Sequence, residues 1–412
     1  MSSEDTKREP RVAFDHFAQR SLQESTDAWR AVRQQGPVGW TDANGGHWVV
    51  SGYAEVSAAF RDWEAFSSAR TNPEYSSVTL GNSRLPKLVP EELDPPEWYA
   101  RRRVLSELLC PAAVERLQPK ISHWVSHAID QVIEAGACEF VQDVVCPVPA
   151  AVTLEMLGFP REDWSRLAGT FHAMASVRHG TPEFEQAVQD LDWVTRRIGE
   201  ELSERRRAPS GDGLSFIATR ELDGEPISDE DAAGLAFMAV GGGVDTTTAL
   251  TASALIHLGR FPAHRQHLIE NPEQIESATE EFLRLYPPAR THARTVAKDV
   301  EIGPVRLCPG DRVLLSEASA CRDPLAFDNP DEFIADRFPN RHIAFGMGMH
   351  RCPGSHLARA EFKETIRQVL TRMPDFEVDF DGVVEYPNWA VIGGWARIPA
   401  TFTPGPRRPG VA

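Results

Sequence analysis

The sequence lacks the features that are typical of membrane-spanning proteins, secreted proteins and proteins with structural zinc sites. No apolar run reaches the roughly 18–20 residues that a membrane-spanning helix needs, and the first thirty residues have no apolar stretch of the secretory-signal type. The six cysteines stand far apart, at positions 110, 138, 146, 308, 321 and 352, with no C-x-x-C pair. That spacing fits neither a disulfide framework nor a structural zinc site. We therefore expect a cytoplasmic protein without a membrane anchor and with reduced cysteines.

Positive charge is also scarce. The chain has 60 acidic and 43 basic residues, a net charge of −17, so its surface repels phosphate backbones and nucleic-acid binding is not expected. The sequence contains no P-loop, dinucleotide fingerprint or nucleophile elbow. The balance of 42% hydrophobic and 25% charged residues is that of an ordinary soluble globular protein.

Helical periodicity dominates and predicts a mainly α fold with a minor β part. Ser228, with Asp231 three residues later, is typical of a helix start, and apolar and small residues continue to about Leu258. A helix of roughly thirty residues would be about 45 Å long and would cross the centre of the molecule. The other predicted elements are helices over 111–135 and 183–207, strands over 296–315, and short strands after Met373.

The residues around Cys352 suit a cysteine that binds a metal. The segment from Phe345 to Gly354 reads FGMGMHRCPG, and a helical pattern follows it. Cys352 therefore lies just before a helix N-terminus, where the macrodipole and free N–H groups favour a thiolate. The alternative is a buried, inert cysteine in a turn, which is the commoner fate of a lone cysteine.

A second cluster lies inside the long predicted helix, where Gly241, Gly242 and Gly243 precede Asp245 and Thr246. Each glycine in a helix costs about 1 kcal/mol relative to alanine. A flat ligand against the backbone, a local widening of the helix, or close packing between helices would each compensate. Packing explains the glycines but not the acid followed by a hydroxyl, a pair that can pass protons from solvent.

Together these residues resemble the cytochrome P450 family. The family's haem-binding loop, F-G-x-G-x-H-x-C-x-G, matches at every fixed position. Its A/G-G-x-D/E-T-T motif matches with Gly242 in the first position, and Glu281 and Arg284 match its E-x-x-R motif. The resemblance implies one domain over 1–412, a triangular prism with flexible tails at about 1–12 and 404–412. Haem would lie between the long helix and the helix after Cys352.

The resemblance also implies roles for individual residues. Cys352 would be the axial ligand of the haem iron, Asp245 would relay protons, and Thr246 would steady the iron-bound oxygen or its water. The other implied cofactor contacts are Trp98, Arg102, Gly242, Arg294, Phe345, His350 and Gly354, and the implied structural network is Glu281, Arg284 and Arg337. For Trp98, plain core packing is an equally good interpretation, because family members of the soluble bacterial type often have histidine there.

The substrate pocket is less well determined. By resemblance it draws on residues 70–90, 165–195, Met238–Gly242, Ala289–His292 and Val391–Trp395, and the individual candidates are Val240, Gly241, Ala289, Arg290, Val391 and Ile392. Counting back in steps of two from Arg294 along an extended strand puts Arg290 on the same side. Arg290 would then favour a substrate with a carboxylate, although an ordinary surface or propionate-linked arginine is the simpler interpretation.

The implied function is a haem-thiolate monooxygenase that uses haem b and O₂ to oxidise a small organic molecule in secondary metabolism or catabolism. Since the sequence carries no reductase segment, electrons would come from a separate ferredoxin with its ferredoxin reductase and NAD(P)H. Arg101, Arg103 and Arg359 are candidates for a basic docking patch on a monomer. The alternatives are an enzyme of the same fold that performs ring coupling, dehydration or peroxygenation, and a haem-binding sensor without catalysis.

Overall fold

The computed structural model describes residues 8–81, 85–178 and 181–408, and its helices follow the apolar periodicity of the sequence. About 53% of the chain is helical, so the predicted mainly α class is confirmed. The helices are α1 (Leu22–Gln35), α2 (Tyr53–Arg61), α3 (Glu97–Leu108), α4 (Pro111–Val132), α5 (Pro147–Leu157), α6 (Trp164–Ser176), α7 (Pro182–Arg207), α8 (Gly213–Ala218), α9 (Asp229–Arg260), α10 (Pro262–Glu270), α11 (Ile275–Leu285), α12 (Glu317–Ala320) and α13 (Ser355–Arg372).

The long helix α9 passes through the middle of the molecule. Ser228 caps it by accepting a hydrogen bond from the backbone N–H of Asp231 at 3.1 Å. The helix continues two residues beyond the predicted end, so that Gly259 lies inside its last turn. Its 32 residues give a rod of about 48 Å, which packs against α5, α6, α7 and α13. Burial on several sides explains why its sequence is apolar nearly all round.

The strands form one five-stranded sheet and several small ones. The strands are β1 (Val38–Thr41), β2 (His47–Val50), β3 (Phe66–Ser67), β4 (Ala137–Glu139), β5 (Glu221–Leu222), β6 (Glu225–Pro226), β7 (Thr291–Val296), β8 (Val300–Ile302), β9 (Val305–Leu307), β10 (Arg312–Ser316), β11 (Glu377–Val378), β12 (Val384–Glu385), β13 (Trp395–Arg397) and β14 (Pro399–Thr401). The main sheet has the order β1-β2-β10-β7-β3. Strand β7 starts five residues before the predicted region and pairs antiparallel with β10, with Arg294 opposite Val313.

Backbone hydrogen bonds link both end segments to the rest of the fold. Val12 donates to the carbonyl of Trp40 at 2.8 Å, and Gly405 donates to the carbonyl of Ile133 at 3.0 Å. Residues 1–7 and 409–412 lie outside the described residues. The single domain over 1–412 with flexible tails at about 1–12 and 404–412 stays a prediction.

The predicted E-x-x-R pair forms a buried network. Arg284 donates to both carboxylate oxygens of Glu281 at 2.8 Å, and both side chains are 0% exposed. Arg337 donates to the same carboxylate at 3.0 Å, as does the backbone N–H of Ile334. Burial alone would raise the pKa of Glu281, but these donors outweigh it and hold the pKa below its ordinary value. The network ties α11 to the loop that precedes the cysteine segment.

Membrane-spanning helices are not found in the described ranges, where no helix combines the length and the apolar character needed to cross a bilayer.

Candidate active site

A large cavity lies between α9 and the loop that leads into α13. Its empty space is about 1490 Å³, counting the part that is open to solvent. Lining residues from the sequence motifs are Arg102, Gly242, Thr246, Arg294, Phe345, His350, Cys352 and Gly354. The two motifs that are a hundred residues apart in the chain therefore meet at one cavity.

The shape of the cysteine loop depends on its glycines. Gly346 and Gly348 have φ of 66° and 69°, in the left-handed region that favours glycine. A Cβ on Gly348 would also lie 2.4 Å from the carbonyl oxygen of Phe60, so no larger residue fits there. The backbone N–H of Cys352 donates to the carbonyl of Phe345 at 2.8 Å. This turn places the thiol of Cys352 in the cavity wall, directly before the start of α13.

Opposing influences act on the pKa of the Cys352 thiol. Burial raises this pKa above its ordinary value, whereas the backbone amide of Gly354 and the charge of Arg102 lower it. The amide at the helix start therefore acts in the direction that the sequence predicts. Coordination to a metal ion deprotonates a thiol outright.

Donors without partners gather at one edge of the cavity. Arg294 is 3% exposed, and in the described chain its guanidinium donates only to the carbonyl of Ala293, at 2.7 Å. Nε2 of His350 and Nε1 of Trp98 are buried without a hydrogen-bond partner, and the two rings lie 5.7 Å apart. Arg102 lines the cavity and donates to the Ser106 hydroxyl at 3.2 Å and to the carbonyl of Arg351. Trp98, 5.8 Å from the Arg102 guanidinium, is not among the lining residues and packs against an apolar core cluster. Buried, unpaired donors are costly, so this edge fits a ligand with carboxylates such as the two propionates of haem.

The three consecutive glycines of α9, at positions 241–243, have different neighbours. A Cβ on Gly241 would lie 2.7 Å from the Phe171 ring, and one on Gly243 would lie 2.6 Å from the Thr153 hydroxyl. Close packing therefore explains these two positions. A Cβ on Gly242 would meet nothing within 4 Å, because this residue faces the cavity. The helix is α-helical throughout, so local widening is not the explanation. The flat face at Gly242 leaves room for a ligand against the helix.

Asp245 and Thr246 point in different directions. Thr246 lines the cavity, and its hydroxyl donates to the carbonyl of Gly242 at 3.0 Å. Asp245 is 3% exposed and lies behind that wall, where its carboxylate contacts His172 of α6 and Tyr386. Sequence analysis missed both partners, because they come from segments 73 and 141 residues away and no local motif marks them.

Only part of the predicted substrate pocket lines the cavity. Within the predicted segments, the lining residues are Pro90, Met238, Ala239, Gly242, Ala289 and His292. The candidates Val240, Gly241, Arg290, Val391 and Ile392 do not line it. Val240 is fully buried in the apolar core, Gly241 faces Phe171, and the 391–392 segment contacts Ala289 and Arg290 through its backbone. Residues 82–84 and 179–180 of the predicted segments lie outside the described residues.

The position of Arg290 contradicts the prediction, made from strand alternation, that it lies on the same side as Arg294. It is 2% exposed, its guanidinium lies 5.1 Å from the Trp389 ring, and Nη2 is 3.3 Å from the Ser25 hydroxyl. Burial lowers its pKa to about 9. Since β7 begins only at Thr291, the alternation that aligns His292 with Arg294 does not extend back to residue 290. Arg290 therefore does not place a cation in the cavity.

Two lining residues carry shifted pKa values: His292, which lies in a predicted pocket segment, and Glu361, which sequence analysis missed. Burial opposes a charge on His292, but Glu317 and Glu91 outweigh it and raise its pKa to about 10. Burial raises the pKa of Glu361, in the second turn of α13, to about 8. The signal for Glu361 was available, since an acid on the apolar face of a helix beside a candidate ligand is unusual.

The predicted basic docking patch is largely neutralised. Arg101 forms a two-point pair with Asp231, at 2.6 and 2.8 Å. Arg359 pairs in the same way with Glu280, at 2.6 Å through both nitrogens. Arg103 is exposed and forms no ion pair with any residue that the structure describes. The grouping of Arg101, Arg103 and Arg359 as a free basic patch is therefore wrong for two of its three members.

Comparison with known proteins decides the family. The family model described as Cytochrome P450 matches residues 163–388, more than half of the chain. The chain belongs to the cytochrome P450 family. It is thus an oxidoreductase that incorporates oxygen from O₂ and uses haem. The cavity between Cys352 and Thr246 is where the family's cofactor fits the residues present.

Individual relatives cover nearly the whole chain. Cytochrome P450 130 of Mycobacterium tuberculosis is 30% identical over 81% of this chain and 83% of its own length. A steroid C26-monooxygenase from the same species is also 30% identical, over 93% of this chain and 95% of its own. The structure of Mycobacterium marinum cytochrome P450 CYP268A2 in complex with pseudoionone is similar with a TM-score of 0.87 and 26% identity, covering 96% of this chain and 99% of that one.

Proposed function

We propose that this cytochrome P450 is a haem b monooxygenase that hydroxylates or otherwise oxidises a small, mainly apolar organic molecule in secondary metabolism or catabolism. The observation that carries the proposal is the meeting of Cys352 and Thr246 at the wall of one cavity that is also lined by Arg294 and by His350, whose Nε2 has no partner. When bound, the haem would supply a thiolate-ligated iron at which O₂ is activated.

The chain's own residues would hold that cofactor from three sides. Cys352 would bind the iron through its sulfur, and the turn from Phe345 to Gly354 fixes where the sulfur lies. Arg102, Arg294, His350 and the indole N–H of Trp98 would bind the propionates, as charge-assisted or neutral donors. Gly242 would let the flat face of the group approach the backbone of α9.

Thr246 and Asp245 would deliver protons from the side of the cavity that α9 forms. The Thr246 hydroxyl faces the cavity and would hold the bound oxygen or a water molecule beside it. Asp245, buried directly behind, would supply protons to that hydroxyl. A carboxylic acid and a hydroxyl in sequence are what a two-step proton delivery needs.

The walls of the cavity favour an uncharged substrate. Met238, Ala239, Pro288 and Ala289 line it with apolar atoms, and Arg290 does not reach it. The cations at the other edge would be occupied by propionates. The similarity to a steroid C26-monooxygenase and to the structure of CYP268A2 with pseudoionone supports a neutral, apolar substrate about as large as a steroid or pseudoionone. Electrons would come from a separate ferredoxin, with its reductase and NAD(P)H, to a monomeric cytoplasmic protein.

The source of the inserted oxygen tests this function. Purified protein is supplied with NADPH, a surrogate ferredoxin and its reductase, and ¹⁸O₂, with a steroid, pseudoionone and hexadecenoic acid as probes. We expect the neutral probes to shift the Soret band more than the acid does, and the product to contain one ¹⁸O atom per turnover by mass spectrometry. Product that lacks ¹⁸O, or turnover with peroxide alone, would instead indicate the coupling, dehydration or peroxygenase chemistry.

Arg294 provides a second prediction, on cofactor retention. Replacing it with methionine removes a buried cation while keeping much of the side-chain volume, and we expect haem affinity to fall by about 10- to 100-fold, corresponding to one charge-assisted bond of ~1.5–3 kcal/mol. The measurement is transfer of haem from the protein to apomyoglobin. Arg306→Met is the control, because Arg306 is exposed and pairs only with exposed Asp299. Equal transfer rates in both variants would remove Arg294 from the cofactor contacts.

A further inference from the structure

Two side chains from distant parts of the chain hold the carboxylate of Asp245. Nδ1 of His172, on α6, lies 2.8 Å from Oδ1 of Asp245. The hydroxyl of Tyr386, which follows β12, donates to Oδ1 and Oδ2 at 3.1 and 3.3 Å. No lysine or arginine in the described ranges forms an ion pair with this carboxylate. The arrangement is therefore a buried acid with one imidazole and one phenol as its direct partners.

The phenol is a fixed donor. Burial raises the pKa of Tyr386 far above its ordinary value, and the charge of Asp245 raises it further. Burial, and then the charge of Asp245, raises the pKa of the nearby Cys146 thiol to about 12. Both groups therefore stay protonated near neutral pH. Tyr386 holds the carboxylate in place through its hydrogen bonds but does not exchange a proton with it.

His172 differs from these two groups in chemistry and in position. Imidazole is the side chain that changes its charge near neutral pH, and it can accept a proton at one ring nitrogen while it releases one from the other. The side chain of His172 is 14% exposed, whereas that of Asp245 is 4% exposed. Its Nε2 forms no hydrogen bond within the ranges that the structure describes. His172 is thus the partner through which the buried carboxylate has a route toward solvent.

We propose that His172 is a positioning residue that connects Asp245 to solvent protons, so that α6 carries the outer half of the proton route. This rests on the proposed monooxygenase function. A proton taken up at Nε2 makes His172 an imidazolium, and Nδ1 then passes its proton to Oδ1 of Asp245. The ring becomes neutral and the carboxyl group becomes neutral. The carboxyl proton moves on toward the Thr246 hydroxyl, which restores the carboxylate. The ring then returns from the Nε2–H to the Nδ1–H tautomer by exchange with solvent, so that each cycle takes up one proton and delivers one.

The test compares three variants in oxygen consumption driven by NADPH with a surrogate ferredoxin and its reductase, over pH 5.5–8.5, with a steroid as probe. The wild-type rate should depend on pH, because imidazole is the group of this route that exchanges protons with solvent. His172→Gln keeps a donor to Asp245 but cannot titrate, and should be slower by about 100-fold, the lower end for a positioned proton-transfer group, with a flat pH profile. Tyr386→Phe should keep the pH dependence, and so should His267→Gln, which alters an exposed histidine of α10.

A second measurement does not need turnover. In protein labelled with ¹⁵N-histidine, the ring signals that are absent from His172→Gln identify His172, and their titration should move in Asp245→Asn. If His172→Gln keeps the wild-type rate and pH profile, or if Asp245→Asn leaves the titration of His172 unchanged, the inference is overturned. If instead the wild type fails to consume oxygen, the proposed function fails, while the NMR titration still decides whether His172 and Asp245 are coupled.

Discussion

Replacing Cys352 with serine should abolish the red-shifted Soret band that thiolate-ligated haem gives after reduction and exposure to carbon monoxide. The hydroxyl of serine is a poor iron ligand, so electron donation from the protein to the iron is lost. We expect no measurable oxygen insertion and a large loss of bound haem. The measurement is the reduced, carbon monoxide-bound difference spectrum, together with haem content per polypeptide.

The matched control for this substitution is Cys308→Ser. Cys308 is exposed, and its hydrogen bonds involve only its backbone: the N–H donates to the Asp311 carboxylate and the carbonyl accepts from the Asp311 N–H, each at 3.0 Å. This variant should keep the full spectrum and activity. Among the described residues, Cys352 is the cysteine that lines the cavity, so another thiol is not in place to substitute for it. A thiolate-type spectrum in Cys352→Ser would therefore overturn the assignment of the iron ligand, and with it the proposed roles of Thr246 and Arg294.

The second large effect concerns stability. Replacing Glu281 with glutamine should lower the free energy of unfolding by about 3–5 kcal/mol, because it removes one charge of a buried network and leaves Arg284 and Arg337 without a counter-charge. For a chain of 412 residues this corresponds to a decrease in Tm of about 4–6 °C. Glutamine retains the shape of the side chain, so the loss would report charge rather than a cavity. Thermal and urea unfolding of the haem-loaded protein measure it.

An exposed ion pair provides the comparison for Glu281. Glu64 pairs with Lys298 at 2.9 Å, and its side chain is 64% exposed. Such pairs contribute about 0–1 kcal/mol, so Glu64→Gln should change Tm by no more than about 1 °C. If Glu281→Gln unfolds within 1 °C of the wild type, the buried network does not stabilise the fold and its role has to lie elsewhere.

The predictable parts of the site are those that depend on residues close together in the sequence. The cysteine loop needs glycine at Gly346 and Gly348 because the backbone there has positive φ, and the start of α9 needs a cap, which Ser228 provides. Close packing accounts for Gly241 and Gly243, but the sequence could not tell these from Gly242, which faces the cavity. Such residue types and spacings are local, so the conformation that they favour can be predicted from elementary physical chemistry.

Predictions failed where a side chain's direction depended on distant elements. Arg290 turns toward Ser25 and Trp389 because β7 starts after it, and the alternation argument assumed a longer strand. Arg101 and Arg359 looked free in the sequence, yet each has a carboxylate partner on another helix. No local pattern indicates which charges pair across such distances.

The sequence by itself determined the class of fold, the candidate iron ligand, the acid–hydroxyl pair and the partners Glu281 and Arg284, because each depends on residues within one element. The tertiary structure alone decided what surrounds them. It buries Cys352 so that its thiol keeps a raised pKa, brings unpaired donors to the cavity edge, and places His172 and Tyr386 against Asp245. The reason is physical: burial and pairing depend on which elements pack together, and packing is a property of the whole chain.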